Sequence, residues 1–210
     1  MPLLSYCILL DHVCLDLPLH GVLKAKLSSL SESGLIALCS EMEINSISPA
    51  NFQQAALEFH NVIHAVFAQI AIVPFRFPTW LSAPEMKNHL REKTSYYQDF
   101  LTHHADQVQM ELRLLSSESK REDPAKTGAD YLRARASELR SLREQVEDIK
   151  RMLAPSIVQW RQREVHDGLR LFALIERQLI HGFREKLNGI GLRASGPWPA
   201  TEFLESDTEN

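Results

Sequence analysis

Residues 107–114 alternate apolar and polar side chains one by one, and this pattern constrains the fold more than any other stretch of the chain. The apolar positions are Val108, Met110, Leu112 and Leu114, and the polar ones are Gln107, Gln109, Glu111 and Arg113. Successive side chains of a strand point to opposite faces, so the pattern predicts a half-buried strand with one solvated face. Such strands belong to antiparallel or mixed sheets. The sequence therefore favours an α+β fold over a doubly wound parallel one.

Three further apolar runs of the N-terminal half are too short for helices. Residues 6–10 and 35–39 are apolar and bounded by polar residues, which predicts two strands of a mostly buried sheet. Residues 70–77 are rich in β-branched and aromatic side chains but contain Pro74 and precede Pro78. Because proline donates no backbone hydrogen bond, we interpret this run as an edge strand or a strand that leaves the sheet.

Two helices are predicted between and after these strands. Ser48, followed by a first-turn proline, indicates the start of a helix over residues 49–69, where apolar residues recur at helical spacing. Ser82 and Glu85 stand three residues apart and form a capping box for a second helix. Its apolar face continues to about residue 102.

A polar segment divides the chain into two predicted domains. Residues 116–126 are charged, contain Pro124 and separate the alternating strand from a long helical pattern. We therefore expect an N-terminal α+β domain over residues 1–118 and a C-terminal α+β domain over residues 119–210. The acidic residues at the end of the chain are expected to be frayed.

The C-terminal domain is predicted to begin with a long amphipathic helix. Thr127 and Asp130 can cap it, and Pro155 ends it. Its apolar stripe consists of Leu132, Leu139, Leu142, Val146, Ile149 and Leu153. This spacing fits a helix lying on a sheet, and it also fits the contact line of a short coiled coil.

Shorter elements are predicted to follow this helix. Residues 169–175 are apolar and predict a strand, and residues 178–188 predict a helix stopped by Gly189. A last strand over residues 190–194 is expected to lead into the Gly-Pro segment that follows it.

Composition excludes several classes of function. The net charge of −4 is small, acids and bases are mixed along the chain, and no basic stripe points to nucleic acid. The three cysteines, Cys7, Cys14 and Cys39, lie among apolar neighbours, which fits reduced thiols of a cytosolic protein. No apolar run approaches the roughly 20 residues that span a bilayer. The apolar N-terminus lacks a basic region and soon reaches Asp11, so we expect no signal peptide and a cytoplasmic protein.

Three segments together resemble a known family. Residues 71–79 read AIVPFRFPT, residues 196–199 read GPWP with Phe203 four positions on, and residues 128–132 read GADYL. Similar segments, in the same order, are typical of the gas vesicle F/L proteins (GvpL/GvpF). The likeness extends over roughly residues 34–204.

The resemblance implies a fold, a role and partners. The fold is two small α+β sandwich domains, of which the N-terminal one is ferredoxin-like. The role is that of a minor structural protein of gas vesicle assembly, vesicle-associated in the cytoplasm, which contacts the hydrophobic shell protein and other accessory proteins. The motifs that carry the likeness supply the candidate partner-binding residues, namely Phe75, Arg76, Phe77, Trp198 and Phe203.

For two of these candidate residues the sequence is compatible with more than one environment. On a strand, Arg76 would point away from Phe75 and Phe77, either to pair with a carboxylate or partner or to remain solvated. Trp198 lies between two prolines in a stiff segment, which suits an anchor filling a pocket either within the fold or on a partner.

Two other functions compete with the vesicle role. The chain departs from the family pattern at Pro78 and at Ala200, which leaves room for a self-associating adaptor that uses the stripe of residues 132–153 in a cell without vesicles. A metal-dependent enzyme would use His60 and His64, which are four apart on one helix. Because neither a third ligand nor a catalytic base is placed by spacing, we expect no catalytic residues, no metal and no cofactor.

Overall fold

The computed structural model describes residues 1–11, 15–115 and 128–204, which form two compact units, Met1–Asp106 and Gln107–Asn210. The units divide before the alternating strand, whereas the predicted boundary at residues 118/119 followed it. The reason is strand pairing, because residues 107–115 form hydrogen bonds with strands of the second unit. The predicted 116–126 loop, the Thr127 cap, Cys14 and the frayed tail lie outside the described residues.

The first unit is built on an antiparallel sheet whose centre is the first strand. That strand lies between the third strand on one side and two short strands on the other. Seven consecutive residues of it are buried, and since their side chains alternate in direction, both of its faces are covered. The strands are β1 (Pro2–Leu10), β2 (Leu27–Glu32), β3 (Leu35–Glu41), β4 (Val73–Pro74) and β5 (Trp80–Ser82).

Three helices accompany this sheet, namely α1 (Phe52–Phe67), α2 (Ala83–Glu92) and α3 (Thr94–His103). The capping box of Ser82 and Glu85 is confirmed at the start of α2. The predicted start at Ser48 was wrong, because residues 48–51 form a turn in which the Ser48 amide donates to Asn51 Oδ1 at 2.8 Å. Because of this turn, α1 begins at Phe52.

The predicted second helix is interrupted at Lys93, whose φ of −106° and ψ of 14° are not helical. The Thr94 hydroxyl donates to the Leu90 carbonyl at 2.7 Å and to the Arg91 carbonyl at 3.1 Å. A threonine that binds these carbonyls competes with the continuing helical hydrogen bonds. The chain therefore ends α2 at Glu92 and starts α3 at Thr94 as a separate helix.

The second unit is a four-stranded antiparallel sheet with two helices, in the order β7-β8-β6-β9. The strand predicted from alternation is central, and the predicted 190–194 strand was wrong, since the edge strand begins at Ala194 and includes Gly196 and Pro197. An edge position tolerates the missing proline donor. The elements are β6 (Gln107–Leu115), α4 (Gly128–Leu153), β7 (Gln159–Val165), β8 (Gly168–Glu176), α5 (Ile180–Gly189) and β9 (Ala194–Trp198).

One face of this sheet packs against α4. Arg143 of α4 pairs with Glu164 of β7. Glu164 stands directly opposite Leu169 of β8, so it points to the same face as the apolar residues of β6. The α4 residues Leu142, Val146, Ile149 and Leu153 are buried, and Leu132 is 65% exposed. Most of the predicted stripe is thus internal to the unit, and the coiled-coil alternative loses the residues on which it relied.

These observations confirm the α+β class with two antiparallel sheets. The first unit runs β-β-β-α-β-β-α-α, whereas a ferredoxin-like domain runs β-α-β-β-α-β. The difference arises after β1, where the described residues 15–26 contain a single 3-10 turn, Val22–Lys24, in place of a helix. Within the described part of the chain, no helix is long and apolar enough to cross a membrane.

Candidate functional site

The Phe-Arg-Phe motif forms a bulge beside the central strand of the first unit. The Phe75 amide donates to the Tyr6 carbonyl at 2.8 Å, and the Ser5 amide donates to the Thr79 carbonyl at 3.0 Å. Between these two contacts the chain leaves β1, and Thr79 Oγ1 closes the bulge on the Arg76 carbonyl at 2.6 Å. The predicted strand through residue 77 is thereby reduced to two residues of β4, because Pro74 and Pro78 supply no donors.

Aromatic rings connect this bulge to the core of the unit. Phe77 lies 5.1 Å from Phe59 of α1, and Phe59 stacks on Tyr6 at 5.0 Å. Phe77 also contacts Phe52, with ring centroids 5.3 Å apart, and Phe52 is 44% exposed. The sequence spacing marked Phe52 and Phe59 as one face of a helix but gave no sign that they meet Phe77. A row of rings therefore leads from the fully buried Tyr6 to the surface.

Tyr6 is held rigidly at the inner end of this row. Its hydroxyl accepts a hydrogen bond from the Val22 amide at 2.9 Å and lies 3.1 Å from Ser40 Oγ. Burial raises the pKa of Tyr6 above its usual value, and the hydrogen bond with Ser40 opposes that shift. A Cβ on Gly21 would stand 2.1 Å from the Tyr6 hydroxyl oxygen, so only glycine fits there. The aromatic row is consequently anchored in a packed network.

The other two motif residues point elsewhere. Arg76 is exposed, and within the described residues no carboxylate pairs with it. Phe75 is half-buried and packs against His89 of α2, with ring centroids 6.0 Å apart. Phe75 and Phe77 therefore contact different helices, although a regular strand would have placed both rings on one face.

His89 is the titratable group beside the motif. Its Nε2 lies 2.9 Å from the Tyr97 hydroxyl, and its ring also contacts the Tyr97 ring. Burial lowers the pKa of His89, and Lys93 lowers it further, while Glu92 opposes the shift. The imidazole is therefore held neutral to lower pH than a free histidine.

We expect the stability of the protein to fall as the pH drops below about 6.5, in part through His89. The unfolded chain binds a proton at this residue before the folded chain does, because the folded pKa is the lower one, so acid favours unfolding. Above both pKa values the residue adds no pH dependence. Urea unfolding at pH 7.5, 6.5 and 5.5 should show a smaller loss for His89→Gln than for the parent. The control Gln53→Ala, at an exposed side chain that does not titrate, should keep the parent slope.

The second motif begins in the edge strand β9 and continues onto the sheet face opposite α4. The Glu202 amide donates to the side chain of Gln109 at 2.9 Å, and Gln109 itself is buried. Phe203 is 5% exposed, and the guanidinium of Arg161 lies 5.6 Å from its ring centroid. The residues after β9 thus cover part of this face.

Trp198 and Phe203 differ in their surroundings. Trp198 is only half-buried, and its Nε1 lies 3.4 Å from Ser195 Oγ. Gly196, with φ of +116°, approaches β6 so closely that a Cβ would stand 2.9 Å from the Gln109 carbonyl. The close backbone contact at Gly196 and the buried ring of Phe203 hold the segment, whereas Trp198 is less deeply covered than Phe203. The two motifs lie in different units.

The remaining candidate residues are the histidine pair of α1 and the cysteines. The rings of His60 and His64 stand 6.2 Å apart on α1, and the described residues contain no group of three or more side chains that could hold a metal. Cys7 and Cys39 are buried free thiols, and burial raises the pKa of both, which suppresses reactivity.

Comparison with known proteins identifies relatives of the whole chain. The model of a family described as gas vesicle synthesis protein GvpL/GvpF matches residues 3–205. No curated protein matches the chain.

Solved structures share the fold across both units. The gas vesicle protein GvpF from Anabaena sp. PCC7120 superposes with a TM-score of 0.77 at 11% identity, covering 100% of this chain and 98% of that one. GvpF from Microcystis aeruginosa gives a TM-score of 0.75 at 12% identity, covering 98% and 99%. At such identities these structures establish similarity of fold alone.

Proposed function

The chain belongs to the GvpL/GvpF family of gas vesicle synthesis proteins, and on that premise we propose that it is a non-enzymatic accessory protein of gas vesicle assembly. In this proposal it works in the cytoplasm at the forming vesicle, where it binds the hydrophobic shell protein and other accessory proteins. The observation that carries the proposal is the aromatic bulge, which offers an apolar surface on a rigid support.

The bulge has the features of a binding surface for an apolar protein. Phe52 exposes 44% of its surface and rests on Phe77, which is half-buried. Exposed apolar rings beside a charged rim are typical of protein contact sites, where aromatic and arginine side chains contribute most of the binding free energy. Arg76 would supply that rim. Of the motif residues, Phe77 and Phe75 shape the surface, and Trp198 is assigned to a second contact on the other unit, where the buried Phe203 holds its segment in place.

Capture of the shell protein tests this proposal. The tagged chain is co-expressed with the family's shell protein, and the amount of shell protein retained on the affinity resin is measured. We expect the double variant Phe52→Ser/Arg76→Ala to weaken capture by about thirtyfold, which corresponds to about 2 kcal/mol at a binding hot spot. Both side chains are exposed, so the thermal unfolding midpoint should change little.

A matched variant tests whether capture depends on this surface or on exposed apolar area in general. Val158 is 52% exposed and lies in the other unit, so Val158→Ser removes exposed apolar area without touching the bulge. Capture should be unchanged by it. Equal capture by the double variant and the parent would overturn the assignment of the surface, and absence of capture by the parent would overturn the proposed function.

A further inference from the structure

A row of arginines crosses three strands of the second sheet, on the face away from α4. Arg163 of β7 stands directly opposite Arg170 of β8, and Arg170 stands directly opposite Arg113 of β6. Directly opposed residues of antiparallel strands point to the same face. Since neighbouring strands lie about 4.8 Å apart, the backbone positions of the three arginines are evenly spaced along a short line.

The line reaches solvent. The side chains of Arg163, Arg170 and Arg113 are 64%, 38% and 57% exposed. Arg161 projects from β7 on the same face, where it lies over the Phe203 ring. Like charges directly opposite each other on a sheet are destabilising unless other groups offset them.

Two glutamates offset part of the charge. Glu111 Oε1 lies 3.0 Å from Arg113 Nε and 3.6 Å from Arg170 Nε, and Glu202 Oε2 lies 2.8 Å from Arg163. Both carboxylates are mostly covered, with side chains 14% and 20% exposed, so they support the arginines from beneath. Among the described residues at this end of the face, four arginines thus stand against these two carboxylates, in a chain whose net charge is −4.

We propose that this arginine row docks the acidic face of a helix from a partner protein. Carboxylates at positions i, i+4 and i+7 or i+8 of a helix repeat every 5–6 Å or so, which matches the spacing of the row. Arginine forks bind carboxylates in two-point contacts, and Glu111 and Glu202 show that carboxylates already approach these groups. The inference goes beyond the proposed function, since it assigns a second surface and a partner of different chemistry.

Binding of a defined peptide to the full chain tests the proposal. The probe is a fluorescent alanine-rich helical peptide with glutamates at i, i+4 and i+8, and its control has the same composition with the glutamates spread around the helix. Fluorescence anisotropy at low ionic strength should show binding of the probe that weakens with added salt. Arg163→Gln/Arg170→Gln should weaken it about tenfold, while Arg151→Gln, at a side chain 79% exposed on α4, should not.

A stability measurement distinguishes docking from a structural role. In the Arg163→Gln/Arg170→Gln variant Glu202 and Glu111 each lose a partner, so its thermal midpoint should fall modestly, and peptide binding is compared at a temperature at which the variant is folded. Equal binding of the control peptide, or unchanged binding by the folded variant, would each overturn the proposal. Tighter binding of inorganic polyphosphate than of the peptide would identify a polyanion site instead.

The alternative occupant of the arginine row is an acidic segment of the same chain. Residues 205–210 carry three acidic side chains and follow Leu204 directly, close in sequence to Glu202 and Phe203. If a chain ending at Leu204 binds the peptide and the full chain does not, the row is occupied internally and the partner is excluded. Equal binding by both chains supports the partner.

Discussion

Leu142→Asp is expected to unfold the second unit at temperatures at which the parent is folded. Leu142 is 6% exposed on the face of α4 that packs against the sheet, where β8 lies beneath it. The substitution removes a buried leucine and places a carboxylate among apolar side chains without a partner. We expect a loss of at least about 3 kcal/mol and a fall in the unfolding midpoint on the order of 15 °C.

The same helix supplies the matched control. Leu132 is 65% exposed, so Leu132→Asp makes the same chemical change where the side chain is not covered. Its effect should stay within about 0.5 kcal/mol. Thermal unfolding of the two variants, followed by circular dichroism, tests whether the α4 stripe stabilises the fold. Equal midpoints would mean that the stripe does not support the fold and is free for self-association.

Periodic patterns of apolar residues predicted which side chains are buried, because a strand or helix with one buried face needs apolar residues at that spacing. The apolar positions of residues 107–114 and the stripe through Leu142 and Val146 are buried as the spacing predicted. The predicted solvated face of the strand is partly covered, because Gln109 is buried beneath the residues that follow β9. β7 escaped prediction because it is an edge strand rich in glutamine, arginine and glutamate, so it shows no apolar period. Patterns of hydrophobicity thus find the centre of a sheet and miss its polar edge.

Features that depend on tertiary contacts could not be read from the sequence. The break at Lys93 depends on one threonine hydroxyl, and the start of α1 depends on the turn closed by Asn51. The Phe-Arg-Phe motif was recognisable in the sequence, but the contact of Phe77 with Phe52 joins residues 25 positions apart and follows from the path of the bulge. The arginine row likewise depends on strand register, which no single strand contains.

The two aromatic residues of the C-terminal motif are expected to respond differently to truncation. Phe203 is 5% exposed, and its neighbour Glu202 is fixed to Gln109, so the ring is part of the cover over the sheet. Phe203→Ala should therefore cost about 3 to 5 kcal/mol of unfolding free energy, the range for a buried aromatic side chain. Urea unfolding of the full chain measures this directly.

Trp198→Ala should cost less folding free energy than Phe203→Ala and more shell-protein binding. Trp198 is half-buried, whereas Phe203 is buried, and the close approach of Gly196 to β6 holds the backbone. If the indole is a binding anchor, capture of the shell protein should fall by about 2 kcal/mol, or about thirtyfold. Unfolding and capture must be measured on the same preparation, because a partly unfolded variant would also lose binding. A Trp198→Ala variant that unfolds as easily as Phe203→Ala would make the indole a second structural anchor, and one that is normal in both assays would remove Trp198 from the binding surface.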